Sequence, residues 1–224
     1  AEQRRVACVV LPDWNLPRFE LRAGDLVALQ WVNHEVGVVA PLADIGALAE
    51  AVGATLVVDA TQALGRLPIR LEDLPAVAAM ALASHKIGGP SGAGALWVRL
   101  DWPLQPQLVG GGQERGRRPG TQHAPTLAGF GAACAEVPER LAEMPVVAAR
   151  RDRLEHALRE AGASINGIEH PRVATVVNAS VPGWRGEELV AALDLEGVCG
   201  SAGAACPPSV AGPYHTVAAL YPDE

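Results

Sequence analysis

The stretch Pro41 to Gln62, P-L-A-D-I-G-A-L-A-E-A-V-G-A-T-L-V-V-D-A-T-Q, decides the fold. Pro41 suits the start of a helix, because its missing N–H is one the first turn leaves unbonded anyway. Leu42, Ile45, Leu48 and Val52 then recur on one helical face, and Gly53 ends the segment. Thr55–Val58 is a β-branched apolar run closed by Asp59, which reads as a strand. Working outward, Val6–Leu11 and Leu26–Val32 are short apolar runs and predict buried strands. Val77–Ala83 is another, closed by Ser84, His85 and Lys86, and Gly94–Val98 predicts one more. Strands alternating with helices define an α/β sheet.

Gly110–Thr121 is rich in Gly and Arg and reads as an exposed loop. From about Thr126 the pattern turns to longer helical segments, which Pro145 is expected to interrupt. Leu154, Ala157, Leu158 and Ala161 would line the buried face of the next helix. Arg172–Val181 reads as a strand, Glu187–Leu193 as a short helix, Ser201–Val210 as a loop of small residues and Tyr214–Leu220 as a final short helix. These patterns divide the chain into a sheet domain, 1–127, and a smaller α+β domain, 128–224. No internal repeat is present.

Composition limits the function classes. With 224 residues, 49% of them apolar, the chain can build a sizeable core; only 4% are aromatic, so that core is made of small aliphatic side chains. A net charge of −7 repels phosphate backbones, which argues against general nucleic-acid binding. The cluster Arg115, Arg117 and Arg118 is too short for a nucleic-acid groove. Cys8, Cys134, Cys199 and Cys206 include no C-x-x-C pair, so no zinc site or other metal site is expected. So few cysteines fit a reducing cytoplasm. The run Val6–Leu11 is too short for a signal-peptide core, and no stretch approaches a membrane span.

Three residues carry candidate chemistry. Asp59 closes a strand, and ligands of open α/β sheets sit outside the carboxyl ends of strands. A carboxylate there can keep a pyridinium nitrogen protonated; the plainer reading is a cap or turn aspartate. Lys86 also follows an apolar strand and can form a Schiff base if its amine is deprotonated; alternatively it is a solvated surface lysine. Cys206 lies in C-G-S-A-G-A-A-C-P-P-S, whose small residues give a backbone able to carry a thiolate to and from a substrate. Otherwise it is a small buried cysteine, the reading applied to Cys8, Cys134 and Cys199. G-G-G-Q-E-R-G-R-R-P-G-T, from Gly110, is either an anion cradle of N–H groups and Arg forks or a solvated arm.

Taken in order, V-N-H-E-V-G-V-V-A-P, V-D-A-T-Q-A-L-G, S-H-K-I-G-G-P-S-G-A-G-A-L, G-G-G-Q-E-R-G-R-R-P-G-T and S-A-G-A-A-C resemble the cysteine desulfurases, members of the class V aminotransferase group of fold-type I enzymes that use pyridoxal 5'-phosphate (PLP). The resemblance runs over almost the whole chain. It implies a partial fold-type I PLP-transferase large domain, a mostly parallel sheet flanked by helices, over 1–127. It implies a small α+β domain carrying the cysteine loop over 128–224. Asp59 would pair with the pyridine nitrogen and Gln62 with the ring hydroxyl. Lys86 would bind the cofactor aldehyde and later move protons. His85 would help hold the phosphate, and Thr121 would reach the phosphate of the neighbouring subunit in a homodimer. Cys206 would take the sulfur of L-cysteine as a persulfide, releasing alanine, before a sulfur-acceptor protein receives it.

The sequence departs from the family's pattern in three ways. His34 stands where an asparagine is usual near the cofactor ring; imidazole can still donate a hydrogen bond there, so His34 is counted with the catalytic and cofactor-binding residues. Ala83 stands where a serine usually contacts the phosphate. The adjacent Ser84 is counted as its stand-in, although neighbours on a strand point to opposite faces. Finally, the chain is expected to lack the N-terminal phosphate loop and ring-stacking histidine, and the C-terminal arginine for the substrate carboxylate. Two readings follow. In one, the chain is a desulfurase completed by a dimer mate or second chain. In the other, it is a catalytically degenerate pseudoenzyme that binds or scaffolds.

Overall fold

The computed structural model describes residues 21–203 and 215–221. The expected strand Val6–Leu11, Cys8 and Cys206 with most of its loop lie outside the described residues. Four strands form one sheet: β1 (Leu26–Gln30), β2 (Thr55–Asp59), β3 (Val77–Ala83) and β4 (Gly94–Val98), in that spatial order. β1, β2 and β3 run parallel, and β4 closes antiparallel on β3. The α/β class and mostly parallel sheet are therefore as read from the sequence.

Helix α1 (Leu42–Val52) links β1 to β2. It stops where Gly53 adopts a left-handed conformation, φ 75°, from which its N–H reaches the carbonyls of Ala49 and Glu50. Leu42, Ile45 and Ala49 of α1 pack on Leu56, Val58 and Met80, with Val27, Leu29, Leu82 and Trp97 at the margin. Register places those sheet residues on one face. The other face presents Leu26 and Ala28, Val57 and Asp59, Ala81 and Ala83, Leu96 and Val98. None of these belongs to either apolar cluster of the described residues. Among the described residues β1 is thus an edge strand with one covered face rather than a buried strand, and it ends at Gln30; Trp31 and Val32 are buried beyond it.

The remaining elements are α2 (Ala124–Ala135), α3 (Val137–Glu160), the short pair β5 (Ser164–Ile165) and β6 (Ala179–Ser180), α4 (Gly186–Leu195) and α5 (His215–Leu220). Phe130 and Ala133 of α2 pack on Ile87, beside Leu64 and Leu82. The expected division between 127 and 128 falls inside α2.

Several expectations for this half are corrected. α3 runs unbroken through Pro145; a fixed φ near −65° is helical, so proline there forfeits a bond without ending the segment. Leu154 is 51% exposed, and Ala157 and Ala161 are exposed. α3 instead turns a charged stripe inward. The buried Glu155 accepts two hydrogen bonds from Arg172, at 2.7 and 3.0 Å, and Arg151 donates to the Val173 carbonyl. Arg172–Val181 is not one strand, because its backbone bonds go elsewhere. Val173 N–H donates to the Gly37 carbonyl, Val39 N–H takes the Pro171 carbonyl, and only Ala179–Ser180 pairs with β5. Cys134 and Cys199 are exposed rather than buried; Cys134 sits one position round from the inward Ala133, about 100° away on the helix.

Candidate functional site

The site builds up from two neighbouring strand ends. β2 and β3 are adjacent and parallel, with Asp59 in register with Ala81, so both chains leave the sheet at the same edge. Asp59 is exposed. One carboxylate oxygen accepts the Thr61 N–H at 2.9 Å, a local turn bond, and the other has no partner among the described residues. This is the turn aspartate of the plainer reading, with one oxygen left over.

Beyond β3, Ser84–Ile87 form a single 3₁₀ turn that ends at Gly88, φ 81°. Three residues per turn put Ser84 and Ile87 on one side. Both are buried, whereas His85 and Lys86 are exposed. The apolar anchor Ile87 is what turns Lys86 outward. Its ammonium makes no ion pair among the described residues. Ser84 faces the opposite way to Lys86. Its hydroxyl is fully buried without a hydrogen-bond partner, and a Cβ on Gly89 would lie 2.2 Å from it. The structure therefore does not bring Ser84 to His85 and Lys86, and the caution about neighbouring residues applies.

Gln62 follows in the turn after Asp59 and is half-buried; its carbonyl accepts from Arg66 at 3.2 Å. His34 lies beyond the end of β1, its Nδ1 3.5 Å from Gln30 Nε2, and Gln30 is the register partner of Asp59. The Trp31 N–H also donates to the Asp59 carbonyl at 2.9 Å. Asp59, the last residue of β2, and Gln62, His34, His85 and Lys86, on the loops beyond the strands, thus stand at one edge of the sheet. Thr121 is exposed just before α2 and has no hydrogen bond to any of them. The loop before it is exposed as expected, with Glu114 and Arg115 both at positive φ.

Sequence reasoning missed two arginines behind this edge. Arg66 Nε donates to Thr175 Oγ1 at 3.0 Å, tying the turn after β2 to the C-terminal half. Burial, and secondarily the neighbouring Arg140, lower its pKa from the usual guanidinium value. Arg140 lies so close to Gly88 that a Cβ there would come within 2.8 Å of its Nη2. G-R-L-P after the turn was the only local signal for Arg66. Arg140, on a distant helix, had none.

An unpaired carboxylate and an unpaired primary amine on adjacent strand ends, with imidazole and amide side chains beside them, form a donor set that suits PLP. The comparisons agree. Residues 22–220 match the model of the aminotransferase class-V family, and the chain belongs to that family. Its cysteine desulfurase members are PLP-dependent enzymes. The chain is 38% identical over 203 residues to a cysteine desulfurase of Cereibacter sphaeroides, covering 87% of this chain and 50% of that protein. It is 37% identical over 183 residues to cysteine desulfurase 2 of Trichormus variabilis, 81% and 46% of the two chains. Among solved structures, a NifS-like protein from Rickettsia africae superposes with a TM-score of 0.77 at 26% identity, covering 88% of this chain and 52% of that one. The DndA protein of Streptomyces lividans gives 0.65 at 34% identity, covering 76% and 49%. The chain spans about half the length of the curated relatives it matches.

Proposed function

We propose that this chain carries the lysine, the ring-binding carboxylate and the sulfur-accepting cysteine of a PLP-dependent cysteine desulfurase. The observation that carries the reading is the pair Asp59 and Lys86, exposed and without an ion pair among the described residues, one at the end of β2 and the other just beyond the adjacent parallel β3. When bound, PLP supplies an electron sink for the α-carbon of an amino acid. Asp59 holds the pyridine nitrogen protonated, Lys86 binds the aldehyde and moves protons at its Nζ, Gln62 meets the ring hydroxyl, and His34 stands near the ring. His85 and, from a neighbouring subunit, Thr121 hold the phosphate. The Cys206 thiolate attacks the sulfur of L-cysteine. The carbon–sulfur bond breaks, a sulfur–sulfur bond forms on Cys206, and the carbon takes up a proton to leave alanine. A cytoplasmic sulfur-acceptor protein then receives the persulfide sulfur. A homodimer mate or a second chain takes part in the site; neither nucleic acid nor a membrane does.

The test is borohydride trapping of added PLP on the purified chain, alone and with any co-purifying protein, with the labelled residue mapped. Label on Lys86, lost in Lys86→Ala, is expected. Alanine release from L-cysteine should fall to background in Cys206→Ser while trapping persists. No label on Lys86 under either condition would sink the reading. One observation favours the alternative of a degenerate binding or scaffolding protein: position 83 is alanine, and the hydroxyl of the adjacent Ser84 is buried while His85 is exposed. That alternative predicts no trapped cofactor.

A further inference from the structure

The turn Asn33–Val38 carries a buried carboxylate that the chemistry above leaves unused. The Glu35 side chain is 1% exposed, and neither of its oxygens has a hydrogen-bond partner among the described residues. A buried acceptor left unmatched is costly, and a charged one more so. The Asn33 side chain, which accepts the N–H groups of Glu35 and Val36, fixes the turn, and Asn178 donates to the Glu35 carbonyl. Backbone bonds thus hold Glu35 on both sides. Nε2 of His34 lies 3.7 Å from its Oε1.

His34 spans from that buried acid to the strand ends. Its side chain is 41% exposed, and its other nitrogen, Nδ1, lies 3.5 Å from Gln30 Nε2. A carboxylate only accepts and an amide nitrogen only donates. Both contacts therefore ask for the same ring: proton on Nε2, lone pair on Nδ1. An acid held against one imidazole nitrogen sets what the other presents.

We infer that Glu35 is a positioning residue that holds His34 in the Nε2–H form, so that Nδ1 accepts from the Gln30 amide and the ring is fixed beside the ends of β1 and β2. The expectation that imidazole would donate in place of the usual asparagine is thereby reversed. The inference rests on the reading of His34 as a residue facing the cofactor, but its geometry is testable without any cofactor.

The experiment is nitrogen NMR of the full chain with labelled histidine, no PLP added, the His34 signals being those lost in His34→Asn. In wild type and in Glu35→Gln, which keeps an acceptor, the proton should sit on Nε2 and Nδ1 should give the signal of an unprotonated nitrogen. In Glu35→Leu that single pattern should be lost to a mixture of both forms. Gln30→Leu, which leaves the buried acid in place, should keep the wild-type pattern and serves where Glu35→Leu fails to fold. A proton on Nδ1 in wild type, an unchanged pattern in Glu35→Leu, or a switched one in Gln30→Leu overturns the inference. Borohydride trapping is read separately. Failure to trap PLP with the Nε2–H form intact sinks the proposed function and leaves the role of Glu35 standing.

Discussion

The two faces of the sheet are built from similar residues and treated differently. On the face under α1, Leu56 and Val58 are fully buried and Met80 nearly so. On the opposite face Leu26 is 55% and Leu96 51% exposed, and Val57, Ala81 and Ala83 are only half-buried. Parallel strands usually read as continuous apolar runs because both of their faces are covered. β1 and β3 read that way, L-V-A-L-Q and V-A-A-M-A-L-A. The open face thus has the composition of a buried one, and Asp59 belongs to it. One covered face is enough to fix strand order and register, since a one-residue slip would turn Leu56 and Val58 outward.

The largest effect should come from the covered face. Leu56→Ala removes a fully buried side chain between α1 and Met80. It should destabilise the chain by about 3–5 kcal/mol, read as a fall in the urea midpoint at unchanged slope. A loss under about 1 kcal/mol would mean that α1 does not hold this face closed, and the contrast between the faces would disappear.

That contrast also explains which parts were legible. β3 and β4 were read to the residue, and α1 to within one, because apolar runs ended by the first polar residue or by glycine mark such elements locally. Asp59 and Lys86 were legible for the same reason: each is among the first polar residues after a strand. Which face would be covered was not legible, because Leu26-Val27-Ala28-Leu29 carries no alternation to decide it. Nor was the inward stripe of α3. Glu155 is buried by Arg172, seventeen positions away, and no local window connects them. The same applies to Glu35, whose burial depends on the turn set by Asn33 and on Asn178 from the far half.

A second measurement sharpens where the C-terminal half attaches. It meets the turn after β1 rather than the open face. Gly37, at φ 74°, gives its carbonyl to Val173 N–H, and a Cβ on it would lie 2.8 Å from Val176 Cβ. Gly37→Ala should therefore cost about 2–4 kcal/mol, from the left-handed backbone and the overpacking together. Hydrogen exchange should speed up at Val173 and Asn166 before it does in β2 and β3. Uniform acceleration across the sheet would show that this turn is part of the core rather than a docking point.

The smallest effect tests the open face itself. Leu96 lies on β4 opposite Ala81, half-exposed and outside both apolar clusters. Leu96→Lys puts a charge on an exposed position, and surface changes of this kind stay within about 0.5 kcal/mol. Its urea midpoint should match wild type, while the exposed apolar patch shrinks and solubility rises. If Leu96→Lys instead lowers stability by more than about 1 kcal/mol, the face is covered in solution, either by another copy or by residues outside those described. The loss would grow with protein concentration in the first case only, because association stabilises by mass action.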